Sequence, residues 1–263
     1  MVAAIIQARM GSTRFPGKVL KELNGFSLLE YLVKRIQKSE EINDIIIATT
    51  NKEEDEKIAE ISRKLDVKIF KGSEDDVLSR YYLAAQETKS NVIIRITGDC
   101  PLVDAGIVDQ LIRKFKENNY DYLSNTIEPT FPDGLDVEVF TKEILKEAYI
   151  NCEDPKMREH VTPWMKLHKK YRKYSYKNEK NYSHLRVTID EPEDLLVLKS
   201  ITEYFSDNIY FNFSDLVELY KKSPDLFLKN NKFKRNEGEV LSKGNKLWRK
   251  AKRIIPGGNM LLS

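Results

Sequence analysis

The 263 residues suffice for one large domain, or one domain with an appendage, and a composition of 41% hydrophobic and 32% charged residues without an apolar run near 20 residues excludes a membrane-embedded protein. The net charge is +3, but residues 229–263 hold ten basic and two acidic side chains, so the remaining body is mildly acidic and gives no reason to expect nucleic-acid binding. Two cysteines, Cys100 and Cys152, are too few for a disulfide framework or a Cys-x-x-Cys metal site, which predicts a soluble protein of the reducing cytoplasm.

Along the first 200 residues, short apolar runs alternate with longer segments of helical period, which predicts an α/β fold with a mainly parallel sheet. Strands buried on both faces are predicted at residues 2–6, 44–50, 67–70 and 91–97. Crossover helices are predicted at residues 27–38, 53–65, 75–87 and 105–118. Shorter elements follow Tyr122, with strands predicted at 135–140 and 185–189 and a helix beginning within 190–195.

The segment directly after the first strand, residues 7–18, is the most informative of the chain. It combines two glycines that allow close backbone approach, two hydroxyls and three cations: Gly11, Gly17, Ser12, Thr13, Arg9, Arg14 and Lys18. This combination suits a triphosphate, although it matches neither the dinucleotide fingerprint nor the Walker A pattern. The alternative is a solvated basic loop.

Two aspartates follow apolar runs farther along the chain. Asp99 lies at the carboxyl end of the strand predicted at 91–97, where ligands bind in open α/β sheets, and it is placed to hold Mg²⁺ that bridges phosphate oxygens. Asp190 follows residues 185–189 and is a second candidate ligand. The alternatives are a turn-forming Gly-Asp for the first and an ordinary helix N-cap for the second.

Residues 7–18, 98–101 and 188–194 together resemble the SpsF branch of the cytidylyltransferases, named for spore-coat polysaccharide synthesis. That branch is similar to the enzymes that make CMP-activated acidic sugars such as CMP-Kdo and the CMP-nonulosonates. The resemblance covers residues 1 to about 215. It implies a Rossmann-like, GT-A-like nucleotide-diphospho-sugar transferase fold, a three-layer sandwich that binds CTP under the first loop.

The resemblance also implies roles for single residues. Arg9 and Lys18 are the expected catalytic cations, and Asp99 and Asp190 match the positions that hold Mg²⁺. The expected nucleotide-binding residues are Ala8, Gly11, Ser12, Thr13, Arg14, Ser73, Asp76 and Gly98. Residues 71–81, which contain Ser73 and Asp76, are expected near the base or ribose, the alternative being the capped start of a surface helix.

Two charged clusters framed by aromatic residues and proline, residues 131–138 and 158–164, also resemble SpsF-type sequence. Arg158 is expected to pair with a substrate carboxylate, and the acidic side chains are expected to accept sugar hydroxyls. The expected substrate-binding residues are Asp133, Asp136, Glu138, Arg158 and His160. For each of them the alternative is a structural hydrogen bond or salt bridge. Three histidines in the chain make no ligand cluster, so no zinc site is predicted.

The predicted organisation is a cytidylyltransferase domain over residues 1–225, a linker over 226–245, and a third segment over 246–263. The third segment resembles the opening of glutamate-1-semialdehyde aminotransferase-like enzymes, which use pyridoxal phosphate. That resemblance implies a fused aminotransferase domain that begins here, while this chain by itself binds no pyridoxal phosphate. The alternative is a basic C-terminal helix that packs on the body or mediates a homodimer.

The function expected from the resemblance is Mg²⁺-dependent transfer of CMP from CTP to an acidic or amino sugar, with release of pyrophosphate, for surface-glycan synthesis. A glycosyltransferase on the same fold is one alternative, because fold does not fix function. Its usual Asp-x-Asp motif does not match Asp133 and Asp136, which have two residues between them. The second alternative is a nucleotide-binding domain without catalysis.

Overall fold

A seven-stranded sheet runs through the computed structural model, which describes residues 1–12, 14–206, 208–233 and 235. Its strands are β1 (Val2–Gln7), β4 (Asp44–Thr50), β5 (Lys68–Gly72), β6 (Val92–Thr97), β7 (Tyr122–Ser124), β8 (Glu138–Thr141) and β9 (Lys173–Ser175), and a separate hairpin pairs β2 (Glu22–Leu23) with β3 (Phe26–Ser27). The sheet order is β5-β4-β1-β6-β8-β7-β9. Strands β5, β4, β1 and β6 are parallel, and β8 lies antiparallel to both β6 and β7.

Helices cover both faces of the sheet. They are α1 (Leu28–Ile36), α2 (Glu56–Lys64), α3 (Val77–Gln86), α4 (Ala105–Asn118), α5 (Lys142–Asn151), α6 (Pro155–His160), α7 (Pro163–Leu167), α8 (Pro192–Phe205) and α9 (Phe213–Lys222), with short 3-10 turns at Lys18–Leu20, Glu53–Asp55 and Pro224–Phe227. One face packs against α1, α2, α4, α8 and α9, and the other against α3, α5 and α7. The expected three-layer α/β sandwich with a mainly parallel sheet is therefore confirmed.

Strand β1 shows why the apolar runs predicted the centre of the sheet. Ala4 and Ile6 pack on the α1 side, whereas Ala3 and Ile5 pack on the α3 side, and all four are fully buried. A strand between two helical layers has no solvent face, so its sequence is apolar without alternation. The strands predicted at 2–6, 44–50, 67–70 and 91–97 are confirmed, as are the four crossover helices, each end lying within three residues of its predicted place.

The strand predicted at 185–189 is wrong. These residues are extended and buried, but they form only an isolated bridge between Arg186 and Asp133. Their hydrogen bonds go to loops instead of a strand: Asp133 N donates to Leu185 O at 2.9 Å, and Ile189 N donates to Asp99 O at 2.8 Å. The predicted strand at 135–140 begins only at Glu138. The extended segment therefore ties the Asp99 loop to the Asp133 loop.

The described part of the predicted linker, residues 226–233 and Arg235, packs on the body. Phe227 and Asn230 are buried, and Arg235 forms an ion pair with Asp136. The predicted third segment, 246–263, lies outside the described residues, as does Thr13. In the described part of the chain, no helix is both long and apolar enough to cross a bilayer.

Candidate active site

A cleft of about 360 Å³ opens at the carboxyl ends of β1 and β6. These neighbouring strands mark the point where the chain changes direction across the sheet, since β4 and β5 continue to one side of β1 and β6 and β8 to the other. Open α/β sheets bind ligands at such a switch point. The cleft volume lies within the range of small-molecule sites.

The loop after β1 forms one wall of the cleft. Met10 anchors it, since its N donates to the buried carboxylate of Asp55 at 2.7 Å and its carbonyl accepts from the N of Gly17 at 3.0 Å. Gly17 has a φ of 66°, a left-handed conformation that favours glycine, and the chain then enters the 3-10 turn that starts at Lys18. This turn sends the Lys18 side chain back under the loop.

The ammonium of Lys18 joins two loops at the floor of the cleft. Its Nζ donates to Asp99 Oδ2 at 3.0 Å, to Asp190 Oδ1 at 2.8 Å and to the carbonyl of Ile189 at 2.7 Å. Burial alone would lower the pKa of Lys18, but the two carboxylates more than offset it and raise that pKa. Burial likewise opposes ionisation of Asp99, yet the Lys18 ammonium and the Thr97 hydroxyl hold the pKa of Asp99 well below its usual value.

The other two cations of the loop point in different directions. Arg14 lies 2.7 Å from Asp190 Oδ1 and so joins Lys18 at the same carboxylate. Arg9 lies 3.1 Å from Glu74 Oε1, towards the start of α3, and 39% of its side chain is exposed. Lys18 and Arg14 therefore form a cationic pair over the aspartates, while Arg9 stands at the open rim.

Asp99 and Asp190 fit a divalent cation held jointly with a substrate. Both carboxylates bond the same ammonium, so their oxygens converge on one point next to the cationic loop. Two carboxylates completed by phosphate oxygens and water form a ligand set that Mg²⁺ prefers. Within the described residues no group of three or more His, Cys, Asp or Glu could hold a metal alone. The chemistry of the donor set therefore fits Mg²⁺ that arrives with a nucleotide.

A buried guanidinium organises the loop that carries Asp190. Arg186 contacts Asp133 at 2.7 Å, Asp194 at 2.9 Å and Asp190 at 3.3 Å. The Asp194 carboxylate also accepts from the backbone N of Asp190 at 2.8 Å, at the start of α8. Despite burial, hydrogen bonds from Arg186 and its positive charge lower the pKa of Asp194. This network fixes where Asp190 faces the cleft.

A second buried charge network lies on the β8 side. Glu138 contacts Arg95 and Tyr122, and it also accepts from Lys166 at 2.7 Å and from the Thr162 hydroxyl at 2.8 Å. Burial opposes its ionisation, but Lys166 and Arg95 hold the pKa of Glu138 well below its usual value. Two cations thus surround one carboxylate, and the Nε of Arg95 is buried without a hydrogen-bond partner. Arg95 and Lys166 therefore balance part of the negative charge that Asp133, Asp136 and Glu138 bring to this side of the cleft.

The structure brings most of the predicted site residues to one cleft. Those that line it are Ala8, Arg9, Ser12, Arg14, Lys18, Gly98, Asp99, Asp133, Asp136, Glu138, His160 and Asp190. Gly11, Ser73, Asp76 and Arg158 are not among its lining residues. Arg158 contacts the Asp76 carboxylate at 2.7 Å and donates to the carbonyls of Tyr149 and Cys152, while Asp76 caps α3. This pair joins α3 to the end of α5, and the binding roles expected for Arg158 and Asp76 stay predictions.

Sequence reasoning missed several lining residues. Among them are Gln7, Arg80, Arg95, Thr126, Glu159, Lys166, Arg186 and Thr188. A signal existed for Arg95 and Arg186, because each is a charged residue within an apolar run. Lys166 gave no such signal, since it lies in a segment rich in lysine.

Comparisons with known proteins point to one family. The sequence profile described as "Cytidylyltransferase" matches residues 3–244. The spore coat polysaccharide biosynthesis protein SpsF of Bacillus subtilis is 34% identical over 229 residues, which span 84% of this chain and 94% of that protein. The 3-deoxy-manno-octulosonate cytidylyltransferase of Bdellovibrio bacteriovorus is 28% identical over 155 residues, 58% of this chain and 59% of that enzyme.

A solved structure is similar along most of its length. It is a cytidylyltransferase of Leptospira borgpetersenii, with a TM-score of 0.83 and 36% identity, and the match covers 90% of this chain and 97% of that chain. The residues matched by the family profile, 3–244, include the cationic loop, both aspartates and the β8 side of the cleft.

Proposed function

The chain belongs to the cytidylyltransferase family, and from that premise we propose that it transfers CMP from CTP to an acidic or amino sugar and releases pyrophosphate. The observation that carries the proposal is the position of Lys18 between Asp99 and Asp190, beneath a loop with two further arginines. This arrangement collects positive charge where a triphosphate would lie and places carboxylates beside it.

In the proposed reaction an acceptor oxygen attacks the α-phosphorus of CTP, the bond from that phosphorus to the bridging oxygen breaks, and pyrophosphate leaves. Charge builds on the phosphate oxygens, and preorganised cations lower the barrier by stabilising it. Lys18 and Arg14 supply this charge at the floor of the cleft, and Arg9 supplies it at the rim. Mg²⁺ bound by Asp99 and Asp190 would supply further charge to the phosphate oxygens.

The proposed acceptor lies on the β8 side of the cleft. Asp133, Asp136 and Glu138 line this side with His160, and Arg95 and Lys166 surround Glu138. Carboxylates accept hydrogen bonds from the hydroxyl groups of a sugar, and the Lys166 ammonium beside Glu138 suits an acidic group of the acceptor. The names of two relatives, a spore coat polysaccharide protein and a sugar-acid cytidylyltransferase, support a sugar destined for a surface glycan.

Several finer expectations belong to the same proposal. They are dependence on Mg²⁺, a cytoplasmic location, assembly as a homodimer and fusion to an aminotransferase domain. The fusion rests on the resemblance of residues 246–263 alone.

One observation disfavours a glycosyltransferase on this fold. The usual Asp-x-Asp metal motif of such an enzyme does not match Asp133 and Asp136, which have two residues between them.

The test is pyrophosphate release by the full chain with Mg²⁺, each of the four nucleoside triphosphates, and a panel of acidic sugars, amino sugars and sugar phosphates. We expect release that requires CTP and one acceptor class and that is lost in Asp99→Asn. Lys21→Gln, which removes an exposed cation from the end of the same loop, serves as the control and retains activity. CTP binding without release for every acceptor would favour a binding domain. In a parallel assay that supplies nucleotide sugars in place of the triphosphates, release of nucleoside diphosphate would favour a glycosyltransferase.

A further inference from the structure

The segment after α9 reaches back to the cleft. Phe227 is buried, and the buried amide of Asn230 donates to Arg186 O at 3.1 Å and to Asp194 Oδ1 at 2.9 Å. These bonds fasten the segment to the network that holds Asp190. Farther along the same segment, Arg235 lies over the loop of residues 131–136.

Arg235 contacts three residues of this loop. Its Nη1 donates to the carbonyl of Phe131 at 3.2 Å, its Nε lies 3.7 Å from Asp133 Oδ1, and its Nη2 forms an ion pair with Asp136 Oδ1. Only 15% of the Arg235 side chain is exposed. A guanidinium with several partners fixes geometry better than a lysine ammonium, because its donors form a rigid planar fork.

Asp136 lines the cleft, whereas Arg235 contacts it from outside the lining. Asp133 is shared with the buried Arg186, but the hydrogen bond that Asp136 makes to Arg235 is its closest described contact. The orientation of Asp136 in the cleft therefore depends on the segment after α9.

We propose that Arg235 is a positioning residue for the acceptor, because it holds the Asp136 carboxylate in place to accept a hydroxyl or ammonium hydrogen from the sugar. This inference rests on the proposed function. It assigns part of the acceptor side to a residue beyond position 225, where the catalytic domain was expected to end.

The charges around Asp136 support this role. Burial raises the pKa of Asp136 to about 7, and the neighbouring carboxylates Asp133 and Glu138 add to the effect, whereas Arg235 opposes it. Without Arg235 the Asp136 carboxyl would keep its proton at neutral pH and lose its capacity as an ionised acceptor.

The test compares Arg235→Gln with Lys232→Gln in the full chain. Both variants remove one positive charge from the same segment, but Lys232 pairs with Glu193 on the surface, away from the cleft. Steady-state kinetics with CTP and the acceptor are measured from pH 5.5 to 9. For Arg235→Gln we expect the KM for the acceptor to be at least about 10-fold higher, because the variant loses the charge-assisted hydrogen bond that holds Asp136. The KM for CTP should be unchanged. The pH dependence of the acceptor KM shifts to higher pH, Arg235→Lys restores part of the effect, and Lys232→Gln behaves as the unmodified chain.

Equal changes in both KM values, or an unchanged acceptor KM, would overturn the proposal. A separate readout keeps it apart from the proposed function: carboxyl carbon NMR of labelled aspartate follows the titration of Asp136, assigned with Asp136→Asn. A titration moved to higher pH in Arg235→Gln supports the inference even if no acceptor on the panel reacts. An unmoved titration overturns it whether or not pyrophosphate is released.

Discussion

The Lys18 ammonium is shared by a carboxylate after β6, a carboxylate before α8 and the Ile189 carbonyl. Only 10% of the Lys18 side chain is exposed, so its removal leaves two carboxylates close together without their common partner. Removing one partner of a buried ion pair lowers the free energy of unfolding by more than the intact pair contributes to it, because the other charge stays buried without a partner. The same residue therefore matters for stability and for the proposed chemistry.

We predict that Lys18→Gln lowers the rate of pyrophosphate release at least about 100-fold, by comparison with the loss of a preorganised transition-state donor. The same change lowers the free energy of unfolding by about 3 kcal/mol. Activity assays and urea denaturation measure the two effects. Adding Asp190→Asn to Lys18→Gln should recover part of the stability but none of the activity. A Lys18→Gln variant as stable as the unmodified chain would contradict the buried pairing.

Asp136 gives a pH prediction with a defined sign. Its pKa is raised to about 7 in the folded protein, so between about pH 4, the ordinary aspartate value, and pH 7 the native state binds more protons than the unfolded state. The contribution of Asp136 to stability is therefore favourable at the acid end of this window and is lost as the pH rises through it. We expect Asp136→Asn to gain stability relative to the unmodified chain between pH 4.5 and 7.5, by about 1 kcal/mol or more. Urea denaturation at both pH values checks this, and a constant difference would refute it.

At the scale of residues, short motifs were the strongest source of prediction. The loop of residues 7–18 and Asp99 could be grouped from sequence because strand ends at one edge of a sheet lie close together, whereas Asp190 joined them only through the family resemblance. The ion pair between Arg158 and Asp76 could not be predicted, since a charged residue in an irregular region gives no sign of its partner, and the substrate contact of Arg158 stays a prediction. Arg235 was not predicted at all, because its contact with Asp136 spans 99 positions.

Among the elements, the loop of residues 131–136 and the extended segment 185–189 pass each other at backbone distance. Gly134 has a φ of 106°, and a Cβ there would lie 2.5 Å from the carbonyl carbon of Val187. Gly25, in the turn between β2 and β3, also has a positive φ of 78° but nothing within 4 Å of its Cβ position. A side chain at Gly25 would therefore meet only backbone strain, whereas a side chain at Gly134 would meet both backbone strain and a steric clash.

We predict that Gly25→Ala costs about 1 kcal/mol of unfolding free energy, the strain of a left-handed conformation, while Gly134→Ala costs about 4 kcal/mol or prevents folding. Thermal and urea denaturation of the two variants make the comparison. Similar costs at both positions would show that segment 185–189 does not press on the loop.

The elements that could be predicted are those with a regular period. Four strands and four crossover helices were identified because burial on two faces or one face leaves a pattern in the sequence. Residues 185–189 have the sequence pattern of a buried strand, and Val187 and Ile189 are indeed fully buried. Apolar residues predict burial, but they do not predict which backbone groups form the hydrogen bonds. Strands β7 and β9 have only three residues each, too few for any period.

For the whole molecule, the segment after α9 completes the body. It buries Phe227 and Asn230 and carries the ion pair of Arg235. A boundary at residue 225 was expected from the polar, basic composition that follows, but composition cannot show that a few buried anchors hold such a segment in place.

We predict that a chain ended at residue 225 has a free energy of unfolding at least about 3 kcal/mol lower than that of the full chain. The loss comes from the burial of one phenylalanine and from the hydrogen bonds of Asn230. A chain ended at residue 235 should keep most of this stability. Urea denaturation of the three chains tests the expectation. Equal stability of the shortest and the full chain would place the domain boundary at 225.

The hydrogen bonds of Lys18 also determine when the cleft can assemble during translation. Its ammonium meets Asp99 and Asp190, which follow it by 81 and 172 positions. While a ribosome is still adding residues before position 190, the nascent chain has the cationic loop and the first strands but no assembled floor for the cleft. The floor of the cleft can therefore assemble only late in translation, and a chain stopped before residue 189 has the cationic loop without the two groups that hold Lys18 from the far end of the chain.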